Sequence, residues 1–274
     1  MKKNRMKEKL RAGEPVFGVS VMIPSPQIVE MVAAAGFDWV LLDCEHGTLT
    51  LESVELMAMA AEASGVTAIA RPVTRSPEHI LQVLDRGVMG VQVPHVNTAE
   101  EARQVVAAVK YHPLGQRGLA AGTRAAVYDS HGTLADYVKA ANDATLIAIQ
   151  LEDEPAIRNI DELLKVNDID VFFIGPSDLS QAMGHPGNPK APPRGPGHRI
   201  ELPQDGGCRP HARHAGNGRG GPRRARQGGP LHLHAPAAAA VGQRKGLPQG
   251  GAGEVGQPST VASQASGVTL SRKR

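Results

Sequence analysis

Two stretches set the architecture of this chain: TLIAIQLED (145–153) and VFFIGPSDLS (171–180). Each opens as a short apolar run and closes on a carboxylate, Glu152 in the first and Asp178 in the second. A continuous run of Val, Ile, Leu, Ala and Phe, without polar alternation, is the pattern of a strand buried on both faces, as in a parallel sheet. The design recurs earlier in the chain. FDWVLLDCEH (37–46) closes on His46, and VTAIAR (66–71) closes on Arg71. Reactive groups at the ends of four strands are how a parallel α/β barrel assembles an active site. Two hard oxygen ligands, one base and one guanidinium point to metal-assisted enolate chemistry.

On either side of these stretches, apolar runs alternate with helical patterns through residue 190. Strands are expected near 16–21, 38–43, 66–71, 88–93, 145–151 and 171–174. Helices are expected near 26–35, 51–63, 76–85, 98–110, 133–141 and 154–165. Ser25-Pro26, Ser76-Pro77 and Thr98 with Glu101 three residues later read as helix starts. The repeated β-α pattern gives an α/β fold with a parallel sheet. Polar groups at several strand ends favour a closed (β/α)8 TIM barrel over an open sheet, which focuses chemistry at one switch point. The loop 111–132 is long for a compact domain, and Arg117 and Arg124 within it are candidates to close over an anionic substrate, the alternative being a plain surface loop.

Composition divides the chain in two. Residues 1–190 carry 17 Lys and Arg against 24 Asp and Glu, a balance of −7, and hold all eight aromatic residues. Residues 191–274 carry 13 against 3, a balance of +10, with 17 of the 31 Gly and 10 of the 21 Pro. Such a tail has little with which to build a core, so 1–190 is taken as the barrel unit and 191–274 as a separate, disordered segment. Two distant cysteines fit a reducing compartment. The basic start has no apolar stretch of the secretory kind, and no run has the roughly 20 apolar residues that span a bilayer. A soluble cytoplasmic protein is expected.

Each candidate has a plain structural alternative. Asp178 suits a helix cap in PSDLSQAM, and Glu152 a solvated carboxylate opening the next helix. Arg71 suits a buried ion-pair partner, or the stabilisation of an enolate or carboxylate. His46 has the proton affinity for acid–base work near neutrality, and Asp43 three residues earlier is placed to orient its ring. Gln150 shares the strand face of Glu152 by alternation. Lys110, Lys139 and Lys165 all fall in helical segments, which argues against a Schiff-base lysine. Cys44 lies between two carboxylates, unfavourable surroundings for a thiolate.

The stretches AGFDWVLLDCEHG (35–47), AIARP (68–72), GVQVPHVNTAEEA (90–102), QLED (150–153) and VFFIGPSDLSQAMGHPGNP (171–189) resemble the HpcH/HpaI aldolase/citrate lyase family. The resemblance implies a (β/α)8 barrel that cleaves 4-hydroxy-2-oxo acids to pyruvate and an aldehyde. It implies a divalent metal (Mg2+, Mn2+ or Co2+) on Glu152 and Asp178, and Arg71 on the pyruvate enolate. It makes His46 with Asp43 the acid–base pair and puts Gln150 beside the metal. The backbone around Pro176, Ser177 and Asp178 would receive the substrate carboxylate. It also implies a homo-oligomer, a hexamer when the C-terminus is intact, with no nucleic-acid or membrane partner.

The resemblance stops near residue 190. The family pattern continues with two further βα units, whereas APPRGPGHRIELPQDGG (191–207) and the residues after it show neither helical nor strand periodicity. Segments 214–221 and 231–240 can be re-read, shifted by one base, as apolar periodic sequence, so a shift of reading frame near 190–192 is one explanation. Three other functions stay open. They are a citrate-lyase-like enzyme acting on acyl-CoA, an inactive product, and an RNA-binding protein using the basic tail.

Overall fold

The computed structural model describes residues 3–130, 132–188, 208–211 and 268–272. Element order is α1 (Arg5–Ala12), β1 (Gly18–Val21), α2 (Pro26–Ala34), β2 (Trp39–Asp43), α3 (Leu51–Ser64), β3 (Thr67–Arg71), α4 (Pro77–Asp85) and β4 (Gly90–Val93). It continues with α5 (Ala99–Val109), α6 (Leu134–Ala144), β5 (Leu146–Leu151), α7 (Glu154–Arg158), α8 (Ile160–Leu163), β6 (Val171–Ile174) and α9 (Pro176–Ala182), then β7 (Cys208–His211) and β8 (Val268–Arg272). The six strands expected from sequence all form, in parallel, with neighbours in chain order from β1 to β6. This is six strands of a TIM-barrel-like sheet.

Past β6 the pattern changes. β8 pairs with β6 antiparallel and β7 pairs with β8 in parallel, so these two strands do not continue the βα repeat of a parallel barrel. Among the described residues the sheet stays open, with β1 and β7 at its edges. The readings of 191–274 as disordered and frame-shifted otherwise lie outside the described residues.

Strand alternation sorts the side chains into two layers. Val40 and Leu42, Ala68 and Ala70, Val91 and Val93, Ile147, Ile149 and Leu151, and Phe172 and Ile174 face the helices in the main core. The other phase, Leu41, Ile69, Leu146, Ala148 and Val171, fills the concave side with Trp39 and Phe173 packed against it. Gly18 makes room for the Trp39 indole, since a Cβ there would lie 2.1 Å from a ring carbon.

Five helices start on a hydroxyl cap, at Ser25, Thr50, Ser76, Thr98 and Thr133, with Thr98 in a capping box with Glu101 as expected. The helix expected over 154–165 breaks into α7 and α8 at Asn159, whose side chain donates to the carbonyl of Asn97 at 2.9 Å.

Helix α1 was not expected. It runs across the N-terminal end of the sheet, capped by Asn4 and ended by Gly13 in the left-handed conformation (φ 81°). Met6 and Leu10 complete the inner apolar cluster. Asn4 Nδ2 donates to the carbonyls of Met89 (2.8 Å) and Ala144 (2.9 Å), and Lys7 Nζ to that of Thr145 (2.8 Å). These carbonyls come just before β4 and β5, so α1 closes this end of the sheet.

Candidate active site

The inner-facing strand phase ends, at the C-terminal edge, in polar residues. Asp43 follows Trp39 and Leu41 in phase, Arg71 follows Ile69, Gln92 follows Gly90, and Gln150 with Glu152 follow Leu146 and Ala148. The strand period that builds the core therefore brings these five side chains together above it. All five are buried, Glu152 and Asp43 to 1% exposure.

Arg71 organises the floor. Its Nε donates to Asp43 Oδ1 at 2.9 Å, one Nη to Asp43 Oδ2, and the other to Gln150 Oε1 at 3.3 Å. The β2–β3 register, which sets Asp43 opposite Arg71, makes this fork possible. Gln92 Nε2 also donates to Gln150 Oε1, at 2.7 Å. Both donors fix the orientation of that amide, and its Nε2 then points at Glu152 Oε2. The other Glu152 oxygen accepts the backbone N–H of His95 at 2.8 Å.

The electrostatics are uneven. Burial alone would raise the Asp43 pKa, but the hydrogen bonds and charge of Arg71, with the N–H groups of His46 and Glu45, bring it below its usual value. Glu152 goes the other way. Burial raises it, and the bonds from His95 and Gln150 only partly offset that. Glu45 is also raised by burial, although Arg71 Nε lies 3.2 Å from its Oε2. Cys44 is pushed up to about 11 by burial and by Asp43, which leaves it a thiol.

Asp43 accepts from the backbone N–H of His46 at 3.2 Å, while its carboxylate is engaged by Arg71. The half-exposed His46 ring instead has Nε2 3.7 Å from Glu45 Oε2. Asp43 thus orients the His46 backbone, and Glu45 stands nearest the ring. Asp178 lies in the first turn of α9, where the cap is Gly175 and not Asp178. Gly175 keeps this turn against Glu152, because a Cβ there would come within 3.2 Å of Glu152 Oε2. Gly175, which meets the Glu152 carboxylate, is followed by Pro176, Ser177 and Asp178 in the first turn of α9.

Arg117 and Arg124 stand elsewhere. They pair with Asp85 (2.8 Å) at the C-terminus of α4 and with Glu62 (2.7 Å) near that of α3. Both lie at the N-terminal end of the sheet, around a cavity of about 160 Å3, so neither closes over this site within the chain. Three residues of the site were missed from sequence: Glu45, Gln92 and His95. Gln92 carried a signal, an amide inside the otherwise apolar strand GVQV, and Glu45 and His95 follow strand ends as His46 does.

Among the described residues no cluster of three His, Cys, Asp or Glu side chains is arranged to hold a metal ion. What the site offers is Glu152 and Asp178 on neighbouring strand ends, with Gln150 beside them. Mg2+ and Mn2+ are commonly held by one or two carboxylates, completed by substrate and water. The ionised Glu152, disfavoured by its burial, is the kind of charge a cation relieves. The donor set fits a hard divalent cation.

The model of the HpcH/HpaI aldolase/citrate lyase family matches residues 17–193. The chain is 38% identical over 190 residues to the hydroxypyruvate/pyruvate aldolase of Sagittula stellata, covering 69% of this chain and 74% of that protein. It is 41% identical over 188 residues to the 2-keto-3-deoxy-L-rhamnonate aldolase of Escherichia coli, covering 68% of each. Among solved structures, the HpcH/HpaI aldolase of Desulfitobacterium hafniense matches with a TM-score of 0.64 and 33% identity, over 68% of this chain and 72% of that one. With the matched segment spanning all six parallel strands and the polar cluster above them, the chain belongs to the HpcH/HpaI aldolase/citrate lyase family.

Proposed function

We propose that this protein is a divalent-cation-dependent aldolase that cleaves 4-hydroxy-2-oxo acids to pyruvate and an aldehyde, and runs the reverse addition. The observation that carries the reading is the Asp43–Arg71–Gln150–Glu152 chain of hydrogen bonds at the strand ends, beside the turn that bears Asp178. Glu152 and Asp178 would hold Mg2+, Mn2+ or Co2+, which when bound supplies Lewis acidity toward the oxygens of the 2-oxo acid.

The remaining steps belong to the side chains. The backbone N–H groups of Ser177 and Asp178, just after Pro176, receive the substrate carboxylate. His46, half exposed at the rim, takes the proton of the C4 hydroxyl, directly or through one water. The C3–C4 bond then breaks, and its electron pair passes into the pyruvate enolate. Arg71, fixed by Asp43 and Gln150, presents a rigid positive charge to the developing oxyanion without reorganising. The enolate takes a proton at C3, returned from His46 through water, and pyruvate leaves with the base restored.

The same proposal makes the protein a cytoplasmic homo-oligomer acting on a small 2-oxo acid, with neither nucleic acid nor membrane as partner. Exposed Ile23, Met31, Leu56 and Met59 on and beside α2 and α3 support self-association. Among the described residues no helix is long and apolar enough to cross a membrane.

The test is pyruvate release from a 4-hydroxy-2-oxo acid by the purified full-length protein. Release that stops with chelator and returns with Mg2+, Mn2+ or Co2+ supports the proposal. Release untouched by chelator removes the cation, and no release under any metal removes the aldolase.

A further inference from the structure

His95 lies two residues past β4, and both of its backbone groups are engaged. Its N–H meets Glu152 Oε1 at 2.8 Å and its carbonyl accepts Arg75 Nη1 at 3.0 Å. The backbone takes a left-handed conformation, φ 53°, which a side chain adopts only where its surroundings hold it there. The ring is therefore placed, not merely attached. It stands between the carboxylates that follow β2 and β5, with Nε2 3.5 Å from Glu45 Oε1 and Nδ1 3.5 Å from Glu152 Oε1.

Its two nitrogens are used differently. Nδ1 lies 3.0 Å from Asp153 Oδ2, a good hydrogen bond, whereas the Glu45 contact of Nε2 is long for one. One nitrogen is committed to the protein and the other is left for a ligand. The ring is 54% exposed, while Arg71, Gln150 and Glu152 beneath it are nearly sealed. The ring thus stands, with His46, at the open side of the site, toward which atoms beyond C4 would extend from a 2-oxo acid seated on that floor.

We propose that the His95 imidazole is the specificity-determining contact for the aldehyde half of the substrate, favouring aldehydes with a hydroxyl group beside the carbonyl. This rests on the aldolase reading above. A hydroxyl both donates and accepts, so it satisfies Nε2 in either protonation state of the ring. A methyl group in the same place does neither and strips water from Nε2 without replacing it, a difference of roughly tenfold or more in selectivity.

The experiment compares kcat/KM for addition of pyruvate to glycolaldehyde and to propanal, which match in size. It uses the full-length protein with Mn2+, and His95→Gly and His95→Asn variants. Glycine accepts the left-handed backbone and keeps the N–H on Glu152, so it removes the ring alone; asparagine tolerates that backbone and restores a donor and an acceptor. The expected result is a wild-type preference for glycolaldehyde of about tenfold or more. That preference falls to near parity in His95→Gly, through KM for glycolaldehyde, and partly returns in His95→Asn. A wild type without preference, or a preference kept in His95→Gly, overturns the assignment. Deuterium exchange into the pyruvate methyl group by the wild type, with no aldehyde present, reports on enolate formation alone. Its absence overturns the aldolase reading and the inference with it, while its presence beside an unmoved ratio overturns His95 only.

Discussion

The two ends of one sheet handle buried charge in opposite ways. At the N-terminal end the cations have matching partners: Lys7 with Asp170 at 2.9 Å, Arg117 with Asp85, Arg124 with Glu62. Lys110, fully buried, gives hydrogen bonds to the carbonyls of Asn142 and Thr145. At the C-terminal end Arg71 pairs with Asp43 and Glu45, Glu152 is buried beside Gln150, and Asp153 pairs with His95, with His46 also at the margin. One end is neutralised and closed by α1. The other keeps a surplus of carboxylate, which the fold tolerates at the cost of raised carboxyl pKa values. In a barrel-like sheet the first arrangement serves stability and the second serves a ligand.

The contrast is broken most sharply by one substitution at each end. Glu152→Gln keeps the shape and removes the charge. We expect kcat/KM for pyruvate release to fall about a thousandfold, near 4 kcal/mol of transition-state stabilisation. The same variant also gives up one of the two hydrogen bonds that Glu152 accepts, because its amide NH2 must face either Gln150 Nε2 or the His95 N–H, so the melting point at pH 8 without metal reports the buried charge removed against the bond lost. Lys7→Met should act on stability instead. Leaving Asp170 without its ammonium should cost about 3 kcal/mol of stability in thermal melts. Residual activity per folded molecule should stay near wild type.

Two smaller effects refine the contrast. His46→Ala should slow cleavage about a hundredfold, as for loss of a general base, while leaving the Mn2+ affinity measured by calorimetry unchanged. Weaker Mn2+ binding in that variant would move His46 into the ligand set. The smallest effect is the pH dependence of stability without metal. Glu152 and Glu45 have folded-state pKa values above their ordinary 4.5, so the folded state holds their protons longer than the unfolded chain. Stability should therefore fall as pH rises from 4.5 through those folded values. Asp43, held below its ordinary 3.8, adds stability above that pH and loses it as the pH falls further. Melting temperatures across pH 4–8 check this, and Glu152→Gln should flatten the slope.

Much of this was legible in the sequence because alternation and strand ends are local signals. The six apolar runs mark the strands to within about two residues, and the same phase that buries Ile69 and Ala148 carries Arg71 and Gln150 to one side. What was not legible depends on register and backbone conformation. Asp43 reads as a partner of the His46 ring because they are three residues apart. It binds Arg71 because the β2–β3 register puts those two side by side, and the chain does not spell register out. His95 joins the site through a left-handed turn that its residue type does not announce. Helix α1 escaped notice because Asn4 and Lys7 look like solvent-facing residues. Their burial depends on the carbonyls of Ala144 and Thr145, some 140 residues away in the chain.

The C-terminal end of the sheet, on this reading, holds its surplus carboxylate charge for a divalent cation. Thermal unfolding with and without Mn2+ decides the matter, on the wild type, Lys7→Met and Glu152→Gln. A ligand that binds only the folded state at a hundred times its Kd adds about 2.7 kcal/mol. Saturating Mn2+ should raise the midpoint of the wild type and of Lys7→Met by similar amounts, and that of Glu152→Gln hardly at all. No rise in the wild type, or an equal rise in Glu152→Gln, would contradict the assignment of a cation to this end of the sheet.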